Sequence, residues 1–213
     1  MKKKRFLITA GPTREMIDPV RFISNRSSGK MGYALADAAQ SAGFEVVLVS
    51  GPVAIQKPSG IKEFISVVSA SEMADAVSSL AESADFIIMA AAVADYRPAI
   101  CHEEKLKKSD SNLLLELERT TDILAELGRN KKRHGYKLAG FAAETENIAE
   151  NAKKKLKSKN LDWIIANDIS GSDAGFQSDN NKVTIYFADG RTLELPLSSK
   201  ITIAEKIIRI ITE

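Results

Sequence analysis

The residues best equipped for chemistry in this sequence are cations gathered around one short turn. Ser27-Ser28-Gly29-Lys30 comes after Arg14, Arg21 and Arg26, between an apolar run at Phe6-Leu7-Ile8 and a helical pattern beginning near Met31. Unpaired backbone N–H groups and the positive end of a helix dipole make such a strand-to-helix junction an anion site. A phosphate is the expected ligand; the plainer alternative is an ordinary turn rich in cations. Three further groups qualify. Asp95 stands just past the apolar run Asp85 to Ala92, at the strand end where open α/β sheets hold their ligands, although a solvated loop acid would occupy the same place. Lys105, Lys107 and Lys108 form a charged run that taken alone reads as a solvated surface. Lys155 and Lys159 lie four apart on a helical pattern and can face one anion, while Lys153, Lys154 and Lys157 suit a solvated face.

Several familiar chemistries are excluded. Met31 follows Lys30 where a phosphate-binding loop of the Walker type needs Ser or Thr for magnesium, and the upstream glycine is missing. The glycines do not fall as G-x-G-x-x-G, and the second strand ends in Ser50-Gly51 instead of an acid for a ribose hydroxyl. No tyrosine is followed four positions later by lysine, which removes the catalytic pair of a short-chain dehydrogenase. His102 and His134 have no metal-ligand spacing. One cysteine, Cys101, rules out an internal disulfide and a thiolate-rich metal site, and no signal-like apolar segment opens the chain, so a cytoplasmic protein is expected. A net charge of +2 gives little whole-molecule attraction to nucleic acid or membrane, and the partner is expected to be a metabolite.

The elements that must position these residues follow from periodicity. With 213 residues and 44% hydrophobic composition, a single domain over 1–213 can bury one good core. Met31 to Ala42 reads as a helix closed by Gly43, Val46 to Val49 as a strand, and Ile61 to Val68 as another. A helix opens near Ser71 as N-cap and runs to about Ala81, and the uninterrupted Asp85 to Ala92 marks a central parallel strand. The stretch of about 96–119 reads as a long flap, with a polar turn at Ser109 to Asn112. A short helix from Asp122 to Leu127, a strand near Leu138 to Ala143, a helix from Asn147 to Ser158 and a strand at Leu161 to Ala166 follow. Phe141 and Trp163 fall inside strands and read as core. Val183 to Phe187 and Thr192 to Leu195 alternate around Ala188-Asp189-Gly190 as a hairpin, and Ile201 to Ile211 forms an amphipathic helix. The expected fold is α/β: a Rossmann-like, doubly wound, mostly parallel sheet with an appended C-terminal β-hairpin.

The motifs AGPTRE with IDPVRFISNRSSGKMG, AAVADYRP, EKLKK, GFAAET, and ANDIS with GFQSDNN occur in an order and at separations that resemble phosphopantothenoylcysteine synthetase, the ligase of coenzyme A biosynthesis. The resemblance spans nearly the whole chain. It implies that the carboxylate of 4'-phosphopantothenate attacks the α-phosphate of CTP, releasing pyrophosphate, and that the amine of L-cysteine then displaces CMP from the acyl-cytidylate. It also implies Mg²⁺, a homodimer, and a flavin-dependent phosphopantothenoylcysteine decarboxylase acting next; in many bacteria that enzyme precedes the synthetase in one chain, and here a separate protein is expected. An NAD(P)-binding oxidoreductase, favoured by the fold alone, is the alternative.

Position by position, the resemblance assigns Asn25 to the acyl-cytidylate, and Arg21 with Ser27, Ser28, Gly29 and Lys30 to the substrate phosphate. Ala91 and Ala92 match the small residues beside the reacting groups. Asp95 matches an acid facing the triphosphate and its magnesium. Lys105 opens the K-x-K-K flap motif and would stabilise charge at the α-phosphate. Thr121, Asp122, Ile123, Leu124, Phe141, Lys155 and Lys159 match the remaining nucleotide positions. Thr121 stands where the family usually has proline, a departure that bears on the local backbone shape.

Overall fold

In a computed structural model, which describes residues 3–108, 112–144, 146–168 and 178–213, the order of elements is as follows. The first strand, β1 (Arg5–Ala10), leads into a small hairpin of β2 (Arg14–Met16) and β3 (Phe22–Ser24), then α1 (Lys30–Ser41), β4 (Glu45–Ser50) and β5 (Glu63–Ser66). Next come α2 (Ala70–Ala81), β6 (Phe86–Met89), a second small hairpin of β7 (Tyr96–Pro98) and β8 (Leu117–Arg119), and α3 (Ile123–His134). The chain continues through β9 (Lys137–Glu144), α4 (Ile148–Ser158), β10 (Trp163–Asp168), β11 (Asn180–Phe187), β12 (Thr192–Ser199) and α5 (Lys200–Thr212).

Eight strands form one sheet in the order β12-β11-β10-β9-β6-β1-β4-β5, with β11 and β12 antiparallel and the rest parallel. Numbered alone, the parallel strands run 3-2-1-4-5-6, the doubly wound order of nucleotide-binding sheets, and the order reverses between β1 and β6. The expected α/β, Rossmann-like sheet with its C-terminal hairpin is therefore observed. Alternation along β1 explains the two layers. Phe6, Ile8 and Ala10 face a core shared with α1 and α5, while Leu7 faces one shared with α2, α3 and α4. Fully burying Phe6, Leu7 or Ile8 stabilises the fold by roughly 1.5–3 kcal/mol each. Both outer strands resist extension: β5 has only four residues, and β12 carries Pro196 at a break in its register with β11.

Some expectations change in detail. The N-cap of α2 is Ser69, not Ser71, because Ser69 stands three residues before Glu72: its hydroxyl accepts from Glu72 N (3.2 Å) while the Glu72 carboxylate accepts from Val68 N (2.7 Å). Helix α3 does not stop at Leu127. It runs to His134 and ends at left-handed Gly135, its last turn (Lys131, Lys132, Arg133, His134) complementing the dipole. The loop after β1 holds the β2–β3 hairpin, whose turn is organised by Asp18: its carboxylate accepts from Val20 N and Arg21 N (2.9 Å each) and from the Arg21 guanidinium. Glu15, buried, fastens that hairpin to the start of α2 by accepting from Ala70 N (2.9 Å). The flap has a structured base, β7 paired with β8. Its polar turn from Ser109 lies partly outside the described residues, as does the stretch from Ile169 to Gln177 that holds the end of ANDIS and the start of GFQSDNN.

Candidate active site

The loops leaving β1 and β6 continue the parallel pairing beyond the sheet. Ala92 N donates to Gly11 O (2.9 Å), Thr13 N to Ala92 O (3.3 Å), and the buried Thr13 hydroxyl accepts from Ala94 N (2.9 Å). Across this seam the Asn25 amide nitrogen donates to Ala92 O (3.0 Å) and Val93 O (3.3 Å), while Ser24 Oγ donates to Thr13 O (2.7 Å). Asn25 thus sits over the reversal point of the sheet.

To one side of Asn25 opens a cavity of about 550 Å³ at the ends of β6 and β9. Ala91, Ala92 and Asp95 line its floor, Thr121 to Leu124 and Phe141 its flank, and Lys155 and Lys159 reach it from the end of α4. The structure therefore brings these residues together, and Phe141 serves as a cavity wall as well as a strand residue. Asp122 acts twice: its carboxylate accepts from Ala125 N (3.0 Å) as the N-cap of α3 and from Lys159 Nζ (3.0 Å). The Thr121 backbone supports that cap without proline, its carbonyl accepting from Ile123 N (3.1 Å). Among the described residues the Asp95 carboxylate makes no hydrogen bond or ion pair, and no three His, Cys, Asp or Glu side chains cluster as a metal site.

To the other side of Asn25, a second cavity of about 570 Å³ runs past Arg14, Phe22 and Arg26 to Ser27, Ser28 and Lys30. Gly29 caps α1 with φ 79°, which a side chain would disfavour, and a Cβ on Gly32 would lie 2.5 Å from Ala10 Cβ, so α1 can approach β1 only through glycine. Beneath the turn, a smaller pocket of about 50 Å³ joins Ser27 to Gly32 with Asn167, Asn181 and Lys200. Lys30 Nζ bonds Asp179 (2.6 Å), which holds the Asp179 carboxyl below its usual range. Lys200 donates to Ser178 O (2.5 Å); burial first, and Lys30 second, lower its pKa, with Asp179 opposing.

Arg21 and Lys105 do not join these groups. Both line a third cavity with Leu106, Lys107 and Lys108, and Arg21 is held by the buried Asp18 and by Leu106 O (2.8 Å). The side chains that sequence reasoning missed are Thr13, Asn167, Asn181 and Lys200. The two asparagines stand in the motifs ANDIS and GFQSDNN; for Thr13 and Lys200 the only signal is burial of a polar group, which periodicity does not reveal.

Residues 1–213 match the DNA/pantothenate metabolism flavoprotein C-terminal domain family. The chain belongs to that family. The coenzyme A biosynthesis bifunctional protein CoaBC of Bacillus subtilis (strain 168) is 52% identical over 209 residues, 98% of this chain and 51% of that protein. Its counterpart in Vibrio vulnificus (strain CMCP6) is 46% identical over 211 residues, 98% of this chain and 52% of that protein. The chain thus spans about half the length of these relatives. A crystal structure of the C-terminal domain of a CoaBC protein superposes with a TM-score of 0.83 at 47% identity, covering 99% of this chain and 95% of that one. Among the described residues no helix is long and apolar enough to cross a membrane.

Proposed function

We propose that this chain is a ligase that joins 4'-phosphopantothenate to L-cysteine at the expense of CTP. The observation that carries the reading is the position of Asn25, in the wall of the two cavities that flank it, each of which is also lined by cations. Two anionic substrates can enter from opposite sides and meet at one neutral amide. The nucleotide occupies the Lys155 and Lys159 side, and the acid reaches from Asn25 to the Ser27–Lys30 turn. Its carboxylate oxygen then forms a bond to the α-phosphorus while pyrophosphate leaves. The cysteine amine next attacks the acyl carbon, loses a proton, and CMP departs with the electron pair of the broken anhydride bond.

The residues suit Mg²⁺, which commonly binds one or two carboxylates together with substrate phosphates. Asp95 would hold it against the triphosphate, where it would neutralise charge on the leaving pyrophosphate. Lys155 and Lys159 orient the triphosphate. Lys159 is already fixed by Asp122, so little side-chain freedom is lost on binding. Lys105 belongs to the same step by resemblance, and nucleotide entry would draw it out of the Arg21 cavity. Arg21, on the flap side, would reach the substrate phosphate only by a similar movement or from a second protomer. A homodimer is part of this reading, supported by exposed Val20, Phe22, Tyr96 and Ile100 on and beside the two small hairpins. A cytoplasmic location, and a flavin-dependent decarboxylase consuming the product, also belong to it. An oxidoreductase is not favoured: β4 ends in buried Ser50, with no acid for a ribose.

The deciding experiment is pyrophosphate release from CTP, measured with and without 4'-phosphopantothenate. Release that depends on the acid is expected, with ATP poorer by a factor of up to roughly 10⁴ if the base is read by buried polar groups. Release independent of the acid, or none, would refute the ligase; equal kcat/KM with ATP would refute the nucleotide assignment.

A further inference from the structure

Strand alternation sorts the charges of the ribbon formed by β7 and β8. Successive residues of a strand face opposite sides, and the register pairs Arg97 with Glu118 and Tyr96 with Arg119. On one side Arg97 and Glu118 form an ion pair at 2.7 Å. On the other, Tyr96 and Arg119 line the cavity of about 550 Å³ beside Asn25. An exposed arginine is ordinarily a solvated surface charge. Arg119, however, is the one residue of β8 that lines this cavity, and among the described residues its guanidinium makes no hydrogen bond or ion pair.

The backbone beside Arg119 is fixed. Thr120, the next residue, donates from N to Asp95 O (3.0 Å) and from Oγ1 to Ala94 O (2.5 Å), so Arg119 is tied to the strand end that carries Asp95. Three cations and two carboxylates line the cavity: Arg119, Lys155 and Lys159, with Asp95 and Asp122. Lys159 shares its charge with Asp122 through a bond of 3.0 Å, and Lys105 lies at a different cavity. A triphosphate entering here therefore meets in Arg119 a cation already at the wall, whose planar fork of N–H donors matches the oxygens of phosphate groups.

We propose that Arg119 is a further catalytic residue, its guanidinium gripping the β- and γ-phosphates of CTP and stabilising the pyrophosphate as it leaves. This rests on the ligase reading and adds to it the side chain that receives the leaving charge. In that step the carboxylate oxygen of the acid bonds to the α-phosphorus, the bond from that phosphorus to the oxygen it shares with the β-phosphate breaks, and the electron pair departs with pyrophosphate. A fixed cation aimed at charge that develops in the transition state lowers the barrier.

The test compares the wild type with Arg119→Gln, Arg119→Lys and, as a control on the other side of the ribbon, Arg97→Gln. With 4'-phosphopantothenate saturating, kcat/KM for CTP in pyrophosphate release should fall roughly 10- to 10²-fold in Arg119→Gln, as for loss of a hydrogen bond to a charged group. By titration calorimetry with Mg²⁺ present, CTP should bind roughly 10-fold or more weakly to that variant, while CMP, which lacks the β- and γ-phosphates, binds as to the wild type. Arg119→Lys restores the charge and should recover part of both losses, and Arg97→Gln should show neither. An unchanged kcat/KM, equal weakening of CTP and CMP, no recovery with lysine, or an equal loss in Arg97→Gln would overturn the proposal. The wild type separates this proposal from the ligase reading. If its pyrophosphate release depends on the acid and Arg119→Gln matches it, the ligase stands and the role of Arg119 falls. If its release does not depend on the acid, the ligase reading falls, and the ratio of CTP to CMP binding still decides whether Arg119 holds the outer phosphates.

Discussion

Replacing Gly32 by alanine would drive a methyl group into β1. The new Cβ would lie 2.5 Å from Ala10 Cβ and 2.9 Å from both Ala10 Cα and the Thr9 carbonyl oxygen. Ordinary carbon contacts begin near ~3.5 Å, so α1 must retreat by about 1 Å. Over-packing a filled core costs roughly 1–3 kcal/mol, and the upper half of that range applies because two of the three contacts are backbone. For a chain of this size each kcal/mol lowers Tm by about 2–4 °C, so calorimetry should record a drop of roughly 4–12 °C. The same retreat displaces Ser27 to Lys30, and a misplacement of about 1 Å can cost on the order of 10²-fold in rate. Steady-state pyrophosphate release should show that loss with the phosphorylated acid. Ala10→Gly in the same chain removes the shortest contact and leaves the two at 2.9 Å, so part of the Tm should return and part should not. A Gly32→Ala protein with wild-type Tm and kcat/KM would refute the claim that this glycine sets the distance between helix and sheet.

Asn25→Asp turns a donor into an acceptor opposite the carbonyls of Ala92 and Val93, so the carboxylate should swing away from the seam. With CTP and 4'-phosphopantothenate it should still release pyrophosphate and accumulate an acyl-cytidylate detectable by mass spectrometry, yet yield little amide once cysteine is added; loss of pyrophosphate release would place Asn25 in the first step instead. Lys105→Gln should slow formation of the acyl-cytidylate with Tm unchanged, and a normal single-turnover rate would remove Lys105 from that step. Arg21 and the backbone N–H groups of Val20, Leu106 and Arg21 hold the Asp18 carboxyl well below the usual carboxylate range. The unfolded chain therefore takes up this proton first, and the stability from Asp18 is present above pH ~4 and lost as pH falls below it. Asp18→Asn should melt lower than wild type at pH 7, with the gap closing below pH ~4; a gap constant from pH 7 to pH 3 would show that the charge is irrelevant.

The buried strands were legible because both their faces are covered, which turns Phe6-Leu7-Ile8 and Phe86-Ile87-Ile88-Met89 into unbroken apolar runs. Helix α3 was only half legible, since after Gly128 its residues are polar and its stability comes from Asp122 at one end and Gly135 at the other. The β2–β3 hairpin was invisible: its strands have three residues each, and its turn depends on one buried aspartate instead of a turn glycine. At the candidate site, Asp95, singled out by its strand end, and Lys155 and Lys159, singled out by helical spacing, line one cavity. Spacing could not show that Arg21 and Lys105 share a different one, because a contact across 84 residues of chain (105 − 21) leaves no periodic trace.

The two blunted borders of the main sheet also govern how copies of the chain meet. A long, flat outer strand offers a row of free N–H and C=O groups to any neighbour and seeds fibrils. Here one border ends after four residues, and the other is interrupted by a proline that has no N–H to give, at a point where the ladder loses register. Strand-by-strand polymerisation is thereby discouraged at both borders, so crowded or freshly synthesised chains are steered away from runaway stacking.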